Sequence, residues 1–125
     1  MKIVIAPQSF KGSISAMNAA KAMETGVRSV LPNAETILIP IADGGDGTLE
    51  TLVDAMGGNI IEETITGPVG SKVKASWGAL ADNKTAVIEM ARTSGLALLK
   101  ADELDPYKSS TYGLGEILSK ALDND

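Results

Sequence analysis

The run Ile41-Ala42-Asp43-Gly44-Gly45-Asp46-Gly47-Thr48 constrains this chain more than any other stretch. An apolar segment precedes it and a helix-patterned segment follows, so it reads as the turn between a strand and a helix. Gly44, Gly45 and Gly47 are more glycine than a simple turn requires. Glycine accepts positive φ and lets a ligand approach the backbone closely. Asp43 and Asp46 can hold a metal or a hydroxyl, and Thr48 can cap the helix. The spacing Asp43, Asp46, Glu50 lacks the alternating ligands of an EF-hand loop, which ranks calcium low. The plain alternative is a turn whose acids only favour a helix N-terminus. Spacing alone selects no ligand.

The same arrangement occurs once before it. Residues 2–6 form a continuous apolar run stopped by Pro7, as in a parallel strand buried on both faces. The loop Pro7-Gln8-Ser9-Phe10-Lys11-Gly12 follows, and Ser13 or Ser15 can cap the next helix. Ala16, Ala19, Ala20, Met23, Val27, Val30 and Leu31 then recur at helical spacing, with Asn18, Lys21, Glu24, Thr25 and Arg28 opposite. Pro32-Asn33 ends that helix. Residues 35–41 are a second apolar run. The helix from Thr48 turns Leu49, Leu52, Val53 and Met56 inward and stops at Gly57-Gly58. Two strand–loop–helix units make a parallel sheet by right-handed crossovers. Both loops then lie at the carboxyl edge, where open α/β sheets bind ligands.

The character changes near residue 60. Residues 60–66 are strand-like, and Gly67-Pro68-Val69-Gly70 is a turn. Val73, Ala75, Trp77 and Ala79 alternate with Lys72, Lys74, Ser76 and Gly78, the mark of a half-exposed antiparallel strand. Asp82-Asn83-Lys84 turns into a further strand over 85–90. Residues 91–99 allow one helical turn ended near Gly95. A last helix follows Thr111, with Leu114, Ile117, Leu118, Ala121 and Leu122 on one stripe. The expectation is α/β: a parallel-sheet domain over 1–60, then an α+β domain over 61–125.

Composition removes several classes of function. The net charge of −5 repels a phosphate backbone, and few aromatics leave no platform for stacking bases, so nucleic acid is not expected. With neither cysteine nor histidine there is no disulfide, thiolate metal site or histidine acid–base chemistry. No apolar run reaches the roughly 18 residues of a membrane span. The first residues, interrupted at Pro7, do not suit a signal peptide. The cytoplasm is the expected location.

Three further places carry candidate chemistry. Ser9, Lys11 and Gly12 before a helix can form an anion site, or be an ordinary connection with a solvated lysine; the Walker A spacing is absent. Glu89 lies within an apolar run, where an acid is costly unless paired. It can pair with Arg92, or face water from an edge strand. The cluster Lys108, Ser109, Ser110, Thr111, Tyr112 and Gly113 can receive an anion, though N-capping by Ser110 or Thr111 accounts for it equally simply.

Together these stretches resemble the bacterial glycerate kinases. The matching motifs, in order, are Ile5-Ala6-Pro7-Gln8-Ser9-Phe10-Lys11-Gly12-Ser13, Ala42-Asp43-Gly44-Gly45-Asp46-Gly47-Thr48 and Thr66-Gly67-Pro68-Val69-Gly70. Residues 84–91 with Thr93-Ser94-Gly95-Leu96, and Ser110-Thr111-Tyr112-Gly113-Leu114-Gly115-Glu116, complete the set. The resemblance implies ATP-dependent phosphorylation of D-glycerate with magnesium. It also implies a Rossmann-like sheet domain interrupted by an inserted mixed α/β domain. On that basis Asp43 and Lys11 would be catalytic. Ser9, Lys11, Gly44, Gly45, Asp46, Gly47, Thr48, Glu89 and Arg92 would bind substrate, and Asp43 and Asp46 would hold metal. Gln8 stands where the family usually has Asp, and a neutral amide cannot act as a base. Asp46 stands where Glu is usual. The family's chains run on well past this length, so the expectation is an N-terminal portion that needs the rest of a kinase chain. The alternative is a non-catalytic domain that binds a small hydroxy acid or anion.

Overall fold

A computed structural model describes residues 1–124. The chain divides into two compact units, Met1–Thr51 and Leu52–Asp125. The division falls inside a helix.

In the first unit, β1 (Lys2–Ile5) and β2 (Glu35–Leu38) pair in parallel, with Lys2 opposite Glu35 and Ile5 opposite Leu38. The crossover between them is α1 (Ala16–Val30). Of the two serines able to cap it, Ser15 does so, its Oγ accepting from the Asn18 N–H at 3.3 Å. The small side chains of Ala16, Ala19 and Ala20 are buried, which lets the helix lie close to the strands. On its other face Glu24 accepts from Arg28 and from the Thr36 hydroxyl of β2. The Thr36 hydrogen bond, then the Arg28 guanidinium, holds the Glu24 carboxyl below its ordinary value. Three apolar positions expected to face inward do not: Met23, Val30 and Leu31 are exposed. Nor is β1 buried on both faces. Ile5 is buried but Val4 is 56% exposed, because α1 covers one side of the strand pair and no described residue covers Val4.

α2 (Thr48–Met56) begins at the predicted residue. Leu49 and Val53 are buried while Met56 is exposed, so its apolar stripe is narrower than the spacing suggested.

In the second unit, β3 (Gly58–Thr66) and β4 (Lys72–Leu80) form a nine-pair antiparallel hairpin running from Gly58–Leu80 to Thr66–Lys72. The alternation predicted for β4 holds from Lys72 to Trp77 and then breaks, Gly78 and Leu80 being buried and Ala79 half-buried where β5 pairs alongside. Ala75 and Trp77 point to the core and Lys72 and Lys74 to solvent. The core joins Ile65, Ala75 and Trp77 to Ile117 of α4 (Tyr112–Leu122). Leu118 and Leu122, expected on the same stripe, are exposed. The strand expected over 85–90 shrinks to β5 (Ala86–Val87) on the far side of β4. It stops because Glu89 is already the N-cap of α3 (Met90–Ser94), which ends at Gly95. Of Ser110 and Thr111, the two residues expected to cap α4, it is Ser110 whose side chain receives the first amide of the helix. Thr111 makes no side-chain cap bond, whereas Ser110 Oγ accepts from the Tyr112 N–H at 3.1 Å.

Among the described residues no helix is long and apolar enough to cross a membrane.

Candidate functional site

Parallel pairing does not stop where β1 and β2 end. The Ile39 N–H donates to the Ile5 carbonyl at 2.8 Å, and the Ile41 N–H to the Pro7 carbonyl at 3.0 Å. The zipper therefore carries both strands out to their carboxyl edge and releases two loops side by side.

The first loop is a tight reversal. The Phe10 N–H donates to the Ile14 carbonyl at 2.9 Å, and the Ser13 and Ile14 N–H groups return to the Phe10 carbonyl. Gly12 adopts a φ of 69° within it. Lys11 sits at the tip of this reversal and is exposed.

The second loop is the glycine turn, with φ of 91° at Gly44 and 93° at Gly47, conformations that a β-carbon disfavours. Its hydrogen bonds are largely internal. Asp43 Oδ1 accepts from the Gly45 N–H at 2.9 Å, and Thr48 Oγ1 accepts from the Gly44 N–H at 3.0 Å. The Thr48 N–H returns to the Gly45 carbonyl at 3.1 Å, and the Thr51 hydroxyl donates to the Gly47 carbonyl at 2.9 Å. Thr48 thus opens α2 and also fixes the turn before it. A tie crosses between the loops, the Ser9 hydroxyl donating to the Asp46 carbonyl at 3.1 Å.

Ser9, Lys11, Asp43, Gly44, Gly45, Asp46, Gly47 and Thr48 thus fall in the first unit, on two loops joined by a hydrogen bond. Glu89 and Arg92 fall in the second. Glu89 is only 3% exposed, and Arg92 Nε stands 3.7 Å from its Oε1, so the buried acid is paired rather than turned to water. The Arg92 guanidinium also donates to Ser76 Oγ of β4 at 3.3 Å.

The second unit holds a contact that motif spacing did not suggest. Both Glu116 oxygens accept from Thr66, one from its N–H and one from its hydroxyl. The Ser110 N–H donates to the Pro68 carbonyl at 2.9 Å. Gly113 is buried so close to β3 that a β-carbon there would collide with the Thr66 carbonyl oxygen. Residues 66–70 and 110–116 therefore grip one another. Lys72 adds an ion pair to Glu116 at 3.6 Å. The Thr66 N–H leads in holding the Glu116 carboxyl below its ordinary value, with Lys72 assisting.

The model of the glycerate kinase family matches residues 3–125. The chain belongs to the glycerate kinase family. It is 52% identical over 123 residues to a glycerate kinase of Bacillus subtilis (strain 168), covering 98% of this chain and 32% of that protein. It is 48% identical over 124 residues to the glycerate 2-kinase of Escherichia coli (strain K12), covering 99% of this chain and 32% of that one. A crystal structure of a protein assigned as glycerate kinase 2 from Salmonella typhimurium LT2 superposes with a TM-score of 0.77 at 45% identity. It spans 99% of this chain and 33% of that one. The chain thus spans about one third of the length of the curated glycerate kinases it matches.

That family relationship puts both loops in perspective. Four of the five motifs of the resemblance divide between two physical jobs. The first two build the paired loops. The third and fifth make the grip between 66–70 and 110–116.

Proposed function

We propose that these residues form the N-terminal, substrate-holding portion of an enzyme that transfers a phosphoryl group from ATP to D-glycerate. The observation that carries the reading is the pair of loops at the carboxyl edge of β1 and β2, zipped by Ile41–Pro7 and latched by Ser9–Asp46. Ligands of open α/β sheets bind at that edge, and family membership supplies the ligand. On this reading β1, α1 and β2 begin a Rossmann-like sheet domain over 1–60. The hairpin, whose first strand starts at Gly58 just ahead of that boundary, and α4 belong to an inserted mixed domain over 61–125.

Phosphoryl transfer depends on positioning and charge neutralisation more than on covalent chemistry. Lys11, exposed at the tip of its reversal, neutralises the transferred phosphate or the glycerate carboxylate. Asp43 Oδ1 is held by the Gly45 N–H, which aims the carboxylate and leaves Oδ2 for the acceptor hydroxyl. As the hydroxyl oxygen bonds to the γ-phosphorus and ADP departs, Asp43 takes the hydroxyl proton. Gly44, Gly45 and Gly47 leave the turn open to a close ligand, and Asp46 assists. Glu89 and Arg92 belong to the proposed substrate set on the strength of the family motif. Among the described residues no three acids gather as a metal cage. Asp46, and Asp43 in the alternative to its proton-accepting role, would suit magnesium that arrives on ATP, which is ordinarily held by one or two carboxylates plus phosphate oxygens. Bound there, the ion would supply shielding of the phosphate charge.

The test is Asp43→Asn in the enzyme that carries these residues. Loss of a positioned acid–base group lowers kcat about 100-fold or more, while the melting temperature stays near that of the parent. A kcat close to normal would remove Asp43 from the chemistry. The second reading is a domain that binds a small hydroxy acid or anion without turnover. D-glycerate binding by the 125-residue chain without ADP release supports that reading for the isolated chain, and ADP release excludes it.

A further inference from the structure

We infer that Ser9 is a positioning residue: it sets the glycine turn through the Asp46 carbonyl and does not itself donate to the anionic substrate. This rests on the reading of the two loops as the glycerate site. A serine hydroxyl has one proton to give and two lone pairs to receive with. A carbonyl oxygen can only accept, so the direction of the Ser9–Asp46 hydrogen bond is unambiguous. The Ser9 proton is committed to the turn. A carboxylate or phosphate needs donors, and while the Asp46 bond is made the hydroxyl has no proton to offer one.

The turn explains why such a latch is needed. The Gly44 and Gly45 amides are satisfied from within, by Thr48 Oγ1 and Asp43 Oδ1. Those bonds set the local curvature of the turn but do not attach it to the loop bearing Lys11. Gly44 and Gly47 adopt positive φ, which glycine accepts without a steric penalty, so no side chain at those positions ties the arc to the neighbouring loop. The Ser9 hydroxyl reaches across 37 residues of sequence to hold that arc at Asp46. Lys11 lies two residues along from the donor, and Asp43 three residues before the acceptor. The latch therefore sets the spacing between the cation and the carboxylate proposed for the chemistry.

The experiment uses the 125-residue chain labelled with nitrogen-15, with Ser9→Ala and Ser9→Thr variants. Amide exchange at Asp46, Gly47 and Thr48 is measured first, then D-glycerate is titrated while the Gly44 and Gly45 resonances are followed. Loss of one hydrogen bond corresponds to about a fivefold change. Ser9→Ala should speed exchange in the turn by about that factor and weaken glycerate by a similar one. Ser9→Thr, which keeps the hydroxyl, should restore both. A Ser9→Ala chain with unchanged exchange in the turn overturns the inference, whatever happens to glycerate. So does loss of glycerate with the turn unmoved, since Ser9 would then touch the ligand. If the parent chain shifts no resonance with glycerate, the glycerate reading fails. The exchange data then decide the latch by themselves.

Discussion

The two units solve the problem of joining distant segments in opposite ways. In the first, the loops that carry Lys11 and Asp43 are tied by the hydroxyl of half-buried Ser9 on the carbonyl of exposed Asp46. In the second, residues 66–70 and 110–116 are joined by a two-pronged carboxylate, a backbone hydrogen bond and a glycine pressed against the chain. Beneath that grip lies a core of Ile65, Ala75, Trp77 and Ile117. One neutral hydrogen bond contributes about 1 kcal/mol, whereas charge-assisted bonds over a packed core are stronger and hold a more rigid geometry. The difference matches the roles proposed for them. Loops that must admit and release a substrate belong at the low end of local stability. The hairpin and α4 behave as scaffold.

The sharpest way to break this contrast is to hollow the scaffold. Ile117 is fully buried against Ile65 and Trp77, and Ile117→Ala should cost about 2–5 kcal/mol. Trp77 is the chain's single tryptophan and lies in the second unit, so its fluorescence during urea unfolding reports that unit alone. Amide protection of Ile5 and Leu38 reports the first. The midpoint from Trp77 should fall while protection in β1 and β2 holds. Equal loss in both would mean that the units share their stability, and the contrast between them would fail.

How much of this was legible in the sequence follows the range of each interaction. Local patterns were sufficient for the parallel strands, the Ser15 cap, the start of α2 at Thr48 and the alternation along β4 as far as Trp77. Apolar spacing identified stripes but not their cover. That is why Val4, Met23, Met56, Leu118 and Leu122 read as core and stand exposed. The strand expected through Met90 failed because β propensity over 85–90 gave way to a helix start at Glu89. Motif matching singled out every residue of the paired loops. It could not show that Ser9 meets Asp46, or that Thr66 meets Glu116 across 50 residues. Hydrogen bonds at such separations leave no periodic trace.

A smaller effect separates two glycines of the same helix. Gly113 faces the Thr66 carbonyl and the Ile65 side chain, whereas a β-carbon on Gly115 would meet nothing. Gly113→Ala should destabilise the second unit by about 1–3 kcal/mol through overpacking. Gly115→Ala should stabilise it by about 0.5–1 kcal/mol, the ordinary gain in a helix. Trp77 fluorescence in urea measures both. If the two substitutions shift the midpoint alike, close approach of α4 to β3 is not what anchors this unit.

The mildest test concerns charge at the grip. The Thr66 hydrogen bonds, aided by Lys72, keep the Glu116 carboxyl below its ordinary value of 4.5. A carboxyl that is more acidic when folded releases its proton more readily in the native state. Its contribution to stability is therefore complete above the unfolded value and fades as pH falls through the folded one. Glu116→Gln keeps an oxygen that can accept from Thr66 but removes the charge. The variant should be less stable than the parent at neutral pH, and the gap should close as the pH drops below 4.5. Asp82 and Glu24, whose carboxyls are also held low, titrate in both chains and cancel from the comparison. Paired urea titrations at neutral and acid pH, followed by Trp77, give the difference directly. A gap that stays constant with pH would assign the grip to hydrogen-bond geometry alone, and the charge on Glu116 would drop out of what distinguishes the two units.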